Sequence, residues 1–478
     1  MRSLGLLAAL LALAAVGCSG RTALVPRLAP ETTVFVQGDV DTVNHVIEIF
    51  WFGTDPDGVV AAYELRLLNP ASPAESAWVR TTRTDSIFTV FTPAGTTSPV
   101  FEVRAIDNDG LVDATPARQR FFFDNEPPTV TIGAYPQSFN ETYASLTLSW
   151  TASDPDGESS IMRFRVWLDG NEANPHILSG MTYTIPTADF FEGSEVRSGT
   201  RTVFVQPIDD GGLVGETVSR SWTVRPTVTG PPGTRARLLL IDDVSTLNTL
   251  NTRTDTLWAN AVANQLEPGT WSVLRLQSVQ PFQSAEDARQ TFSLYDAVIW
   301  YRGTESTFSN VLRDVQSGIA TAIEDGHSFV VEGLNLVNGV GRSGPLEQDF
   351  VSRVYETDFL YKFFESGMED SSVSWGVNGG AVFRSSTDSL RIAIITLGLR
   401  GFAVRDTQHV LLWARAGTLS QFHNFDIPVA LMVPHASGAR AGIISIPVVT
   451  TSQPAPGGTF PQRATAFVNK VVQVLRKP

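Results

Sequence analysis

The side chains with the widest chemical reach in the C-terminal half of the chain stand where apolar runs stop. RARLLLIDD ends in Asp242 and Asp243, YDAVIWYRG carries Arg302, and HSFVVEG leads through Glu332 to Asn335. Carboxylates, a guanidinium and an amide gathered at strand ends can recognise a sugar or another small polar ligand. The acids also admit a hydrolase or lyase acting on carbohydrate. Retaining glycosidases need two carboxyl groups about 5–5.5 Å apart and inverting ones roughly 6.5–9.5 Å, so the enzyme reading requires Asp242, Asp243 and Glu332 to converge in one open cleft. The competing reading is structural: the two aspartates cap a helix or loop, and Arg302 pairs with one of them.

Other chemistry is sparse. The six histidines, His45, His176, His327, His409, His423 and His435, form no H-x-x-x-H or H-x-H pair, so zinc-site spacing is missing. The run Gly339-Val340-Gly341-Arg342-Ser343-Gly344 lacks the Gly-Lys-Ser/Thr ending of a phosphate loop and reads as a loop. Cys18 is the one cysteine, which removes any disulfide framework, thiolate metal site or cysteine nucleophile from the folded part.

The elements that must position these groups fall into segments. The chain has 478 residues, a formal net charge of −14, 42% hydrophobic and 18% charged residues. That composition suits about three packed domains and disfavours nucleic acid as a partner. Two stretches repeat one pattern: IEIFWFGTDPDGVVAAYELRL with FEVRAIDNDGLVDATPARQRFFF, then LTLSWTASDPDGESSIMRFRVWL with RTVFVQPIDDGGLVGETVSRSWTV. Trp51 matches Trp150, Asp55-Pro56-Asp57-Gly58 matches Asp154-Pro155-Asp156-Gly157, and Asp107 matches Asp209. Their period-two alternation and turn clusters predict two all-β sandwiches, residues 30–126 and 127–225, each with its Trp in the core. After the Pro- and Gly-rich linker 226–235, strand-like apolar runs alternate with helical spacing in TDTLWANAVANQL, VLRDVQSGIATAIEDG and QRATAFVNKVVQVLRK. This predicts an α/β doubly wound domain over 236–478, with helices on both sheet faces.

Three resemblances add to this. MRSLGLLAALLALAAVGCSG has one Arg, an apolar run and small residues, and Ala15-Val16-Gly17-Cys18 resembles the lipobox of bacterial lipoproteins. That resemblance implies a signal peptide over 1–17, acylation of Cys18 as a membrane anchor, and a tether over 18–29. Ser19 in place of Asp implies the outer membrane.

The repeated units resemble fibronectin type III or related immunoglobulin-like modules, with Trp on the second strand and Tyr63 or Phe164 on the third. In such a sandwich the loops bearing Asp55 and Asp57 approach those bearing Asp107 and Asp109. Likewise Asp154 and Asp156 approach Asp209 and Asp210, beside the linker acids Asp124 and Glu126. Two readings stay open for these acids, a calcium clamp that stiffens the stalk and plain turn chemistry, for which Asp-Pro-Asp-Gly is well suited.

The order hLLIDD, YDAVIW, FVVEG, AGIISIPVV and a closing helix is similar to class I glutamine amidotransferase-like domains. Active members present a Cys nucleophile at the bend after the strand that matches HSFVVEG, with a downstream His and acid. Here that bend reads Glu332-Gly333-Leu334-Asn335, with no Cys and no Ser in a G-x-S-x-G elbow. Asn is not a nucleophile that a neighbouring base can activate, so the reading leans against catalysis. The expectation is a cell-envelope lipoprotein that presents a degenerate domain to a ligand, glycan or envelope protein, with no cofactor beyond the open calcium question. A carbohydrate-active enzyme and a scaffold subunit of an envelope or secretion complex are the alternatives.

Overall fold

The computed structural model describes residues 27–36, 46–69, 77–157, 161–244, 249–276, 281–303, 309–333, 336–337, 344–362, 373–376, 389–392, 400–415, 426–445 and 460–475. Cys18, His45, Asn335, residues 339–343 and His423 lie outside them. The chain divides into two compact units. One comprises Met1–Thr129, Ala152–Arg163 and Gln206–Glu216; the other comprises Val130–Thr151, Phe164–Val205 and Thr217–Pro478.

Period-two alternation in the first repeat produces two sheets. Glu31–Phe35, Val46–Thr54 and Asp85–Thr89 form one; Val79–Thr81, Val60–Leu68, Val100–Asp107 and Ala117–Arg120 form the other, in that order. Alternate side chains point inward, and Trp51 is 1% exposed between them, its ring centroid 6.3 Å from Tyr63 and 5.7 Å from Phe101. On the outer face of the four-stranded sheet, Arg66 Nε reaches Glu102 at 2.7 Å and Arg104 reaches Glu64 at 2.6 Å, both guanidiniums lying over the Trp78 ring. The second repeat forms a three-stranded sheet and a five-stranded sheet. Trp150 and Phe164 meet edge to face at 5.3 Å, so both tryptophans anchor cores as the sequence predicted.

The C-terminal segment is doubly wound. The strands of its main sheet and its α-helices are β1 (Leu238–Asp242), α1 (Thr249–Ala263), β2 (Trp271–Arg275), α2 (Ala285–Ser293), β3 (Ala297–Tyr301), α3 (Asn310–Asp314), α4 (Gln316–Glu324), β4 (Ser328–Glu332), α5 (Gln348–Val354), β5 (Val373–Gly376), β6 (Ser389–Ile392), β7 (Val410–Arg415), β8 (Asp426–Pro434), β9 (Arg440–Ile444) and α6 (Phe460–Leu475); Thr357–Lys362 and Arg400–Val404 pair in a separate two-stranded sheet. The nine-stranded sheet runs β2-β1-β3-β4-β9-β8-β7-β5-β6. Neighbours from β2 through β9 are parallel, and those from β9 to β6 are antiparallel. Strands β1, β3 and β4 are buried at every position, as parallel strands covered on both faces must be. α1 and α6 cover one face, and α2 to α5 cover the other. In α6, Phe467, Val468, Val471, Val472 and Leu475 are buried, an apolar stripe of helical period.

The structure departs from the sequence reading in detail. The helix expected through VLRDVQSGIATAIEDG is two helices broken at Val315, whose φ of −101° and ψ of 3° leave the helical region. The run DIPVALMVP forms β8, antiparallel to β9, so the sheet continues beyond its parallel part. α1 begins at Thr249, a turn or more ahead of the expected Thr-Asp start at Thr254-Asp255.

Candidate functional site

The strand order 2-1-3-4 places the topological switch point between β1 and β3, because the chain leaves β1 for β2 on one side and returns to β3 on the other. The carboxyl ends of those strands carry the predicted residues. Asp243 and Arg302 meet: Arg302 Nε donates to Asp243 Oδ2 at 3.0 Å, and the Trp300 indole N–H donates to the same oxygen at 3.1 Å. Arg302 is 2% exposed. Its backbone N–H bonds to the Glu332 carbonyl at 2.8 Å. Glu332 is fully buried, and its Oε2 accepts from the Gly303 backbone N–H at 3.2 Å. Gly333 (φ +157°) follows, where a Cβ would fall 2.8 Å from that of Arg302, so the bend after β4 is closely packed.

Asp242 turns elsewhere. Its Oδ1 accepts from the Val244 N–H at 3.2 Å, and its Oδ2 lies 3.6 Å from Arg275 Nε at the end of β2. Burial, and then the nearby charge of Asp255 on α1, push the Asp242 carboxyl up to about 6. Asp255 is raised too, by burial, while a hydrogen bond from Tyr301 pulls it the other way. The three predicted carboxylates make different hydrogen bonds; two of them, Asp242 and Glu332, are buried, and the charges of both act on the Tyr301 hydroxyl. This is the structural alternative raised from sequence, with Arg302 paired to Asp243. Sequence reasoning missed Trp300, Asp255, Tyr301 and Arg275. Trp300 and Tyr301 left a signal, an indole and a phenol that end an otherwise aliphatic strand.

At the turns, the carboxylates act on the backbone. Asp107 Oδ1 accepts from the N–H groups of Asp109 and Leu111, both at 2.8 Å, and Asp55 Oδ1 accepts from Asp57 N–H at 3.2 Å. Asp109 pairs with Arg27 at 3.3 Å, and Asp57 accepts from Leu28 N–H at 3.1 Å. Asp154 Oδ1 accepts from Asp156 N–H at 2.9 Å, and Asp209 Oδ1 accepts from Leu213 N–H at 2.8 Å. The linker does reach both turns of the second repeat. Glu126 N–H donates to Asp156 Oδ2 at 2.8 Å, and Asn125 Nδ2 donates to Asp209 Oδ2 at 2.9 Å. Asn125, which the sequence reading passed over between Asp124 and Glu126, is the linker side chain that is buried, at 4% exposure. Asp124 is exposed on its short strand. Among the described residues no group of three or more His, Cys, Asp or Glu is placed to hold a metal ion.

Asp209 is wholly buried, so its replacement by alanine strands the buried Asn125 amide and the part-buried Leu213 N–H. The expected loss is about 3 kcal/mol in urea unfolding. Asp124→Ala, at an exposed site, is expected to stay within about 0.5 kcal/mol of the wild type.

Two histidines meet backbone carbonyls, while His176 Nε2 lies 2.6 Å from Asp189 Oδ2. His327 Nδ1 lies 2.7 Å from the Tyr295 carbonyl and His435 Nε2 lies 2.9 Å from the Val354 carbonyl.

No family model matches the chain, and no curated protein matches it. Among solved structures, it is similar to a ThuA-like protein of Bacteroides uniformis at 11% identity and a TM-score of 0.32, over 51% of this chain and 92% of that one. It is also similar to the fibronectin(III)-like modules of Clostridium thermocellum CbhA at 17% identity and a TM-score of 0.19, over 40% and 94% of the two chains. A two-module fibronectin type III segment of chicken tenascin matches at 15% identity and a TM-score of 0.17, over 41% and 99%. The fold itself, two β-sandwiches followed by a doubly wound α/β domain, rests on the strand orders above.

The helix α2 sets a second polar cluster. Ser284 caps it by accepting from Asp287 N–H at 3.0 Å, and Asp287 Oδ2 reaches back to Gln283 N–H at 3.2 Å, a capping-box arrangement. Asp287 also accepts from the Ser145 hydroxyl of the second repeat, while Thr147 Oγ1 lies 2.7 Å from Ser284 Oγ and Thr187 Oγ1 donates to Gln290 Oε1 at 2.9 Å. These bonds join the second repeat to α2 within one compact unit. Asp287 is completely buried there, and burial pushes its carboxyl up to about 6.

Proposed function

We propose that the chain is a cell-envelope lipoprotein that binds rather than catalyses. In this reading Cys18 is acylated and anchors the chain to the outer membrane. The two sandwiches serve as a stalk, and the amidotransferase-like α/β domain is presented to a glycan or an envelope protein. The observation that supports the non-catalytic part is the engagement of Asp243 at the switch point by both Arg302 and Trp300, with Asp242 and Glu332 buried. The acidic net charge of −14 supports a partner other than nucleic acid.

Two measurements test the reading. Growth with an alkyne palmitate analogue is expected to label the wild type and not Cys18→Ala; a labelled variant overturns the anchor. A panel of chromogenic glycosides and amides is expected to show no turnover that Glu332→Gln or Asp243→Asn abolishes. Turnover lost in either variant overturns the binding reading.

A further inference from the structure

The amino ends of the parallel strands lie at the opposite end of the sheet from the acids, and there the chain forms an open cavity of about 400 Å³. That volume falls within the range of small-molecule sites, which favour the seams between packed modules. Its apolar wall comes from Leu266 after α1, from Pro226 of the linker, and from Trp271 and Val273 on the edge strand β2. Tyr143 and Arg225 close it from the second repeat, in the same compact unit. The rim is held by backbone bonds: Thr229 and Gly230 donate to the Gly269 carbonyl at 3.2 and 3.1 Å, and Ser272 Oγ donates to the Thr227 carbonyl at 2.6 Å.

Among the lining residues Arg225 bears the single charge. Its side chain is 31% exposed and ion-pairs with the exposed Glu141, whose Oε2 stands 3.7 Å from Nε, too far for a hydrogen bond. The guanidinium lies 5.6 Å from the centre of the Tyr143 ring. Its backbone N–H is taken by the Thr142 carbonyl at 2.7 Å, but the guanidinium donors meet no hydrogen-bond acceptor among the described residues. A planar fork of donors at the mouth of an apolar cavity is suited to a carboxylate, which it can take through two parallel hydrogen bonds.

We propose that this cavity binds a small organic carboxylate with a flat apolar body, the carboxylate on Arg225 and the body against Leu266, Trp271 and Val273. The site is independent of the function proposed above, because it shares no residue with the switch-point acids. The test titrates the full chain with 2-naphthoate by calorimetry, with 2-naphthamide as the uncharged match of the same shape. The expected result is saturable one-to-one binding of naphthoate, with naphthamide weaker by about tenfold or more. Arg225→Met, which keeps the apolar stem, is expected to bring naphthoate down to the level of naphthamide. Leu266→Trp, which fills the cavity, is expected to abolish binding of both. Absence of saturable binding, or naphthoate affinity unchanged in Arg225→Met, overturns the proposal. Should Leu266→Trp fail to fold, Arg225→Met decides alone, its fold checked by an unchanged melting temperature.

Discussion

Arg302→Ala is expected to destabilise the protein by about 3–5 kcal/mol, the range for removing one partner of a buried ion pair. Three consequences combine at this position. Asp243, 18% exposed, loses the cation 3.0 Å from its Oδ2. The Cβ that lies against the bend at Gly333 is kept by alanine, but the space filled by the rest of the 2%-exposed residue becomes a cavity at the ends of β3 and β4. The Trp300 indole keeps its bond to Asp243, so that carboxylate is not left without a donor. Urea unfolding measures the loss directly. A cost below about 1 kcal/mol, typical of exposed ion pairs, contradicts the structural role assigned to Arg302.

The second large effect is a dependence on pH centred on Asp287. Its carboxyl is raised from 3.8 to about 6 by complete burial between α2 and the second repeat. A carboxyl whose folded value exceeds its unfolded value holds its proton more tightly when folded. Its contribution to stability is therefore whole below pH 3.8 and is lost as pH rises through about 6. Each unit of difference corresponds to about 1.4 kcal/mol, so the loss across that window is on the order of 2–3 kcal/mol. Asp242, raised to about 6 at the end of β1, adds a loss of the same sign. Asp287→Asn removes the titrating group; the amide carbonyl can accept from Gln283 N–H and the amide NH₂ can donate to Ser145 Oγ, while the bond from Thr147 N–H is weakened at a cost that does not vary with pH. The difference in unfolding free energy between Asp287→Asn and the wild type is expected to favour the variant progressively from pH 4 to pH 7 and to level off above. A difference that stays constant with pH contradicts the assignment.

The sequence made some of this architecture readable because the signals were local. Trp51 and Trp150 stand at matching places in two repeats, and period-two alternation on either side of each states which face is buried. Continuous apolar runs such as LLLID and AVIWY could only be strands covered on both sides. The antiparallel extension β5 to β7 was not legible: VSWG and SLRI are four-residue strands, too short for periodicity to separate from loop. Within the site, Asp242, Asp243 and Arg302 were found because they end apolar runs. Asp255 was not, since on α1 it looks like any solvated helical acid and becomes significant only through the fold that brings it near Asp242. The capping pair Ser284 and Asp287 is spaced as a helix start, yet nothing local announces Ser145, 142 residues away in the chain.

A double-mutant cycle on Arg302→Met and Asp243→Asn, read by equilibrium unfolding of the full chain, asks whether the switch point is engaged with itself or open to a reacting ligand. Mutual engagement predicts a coupling energy above about 1 kcal/mol, within the span seen for residues that share a buried network. Additivity within about 0.3–0.5 kcal/mol would mean that the guanidinium and the carboxylate act independently, and the non-catalytic account of this domain would then fail.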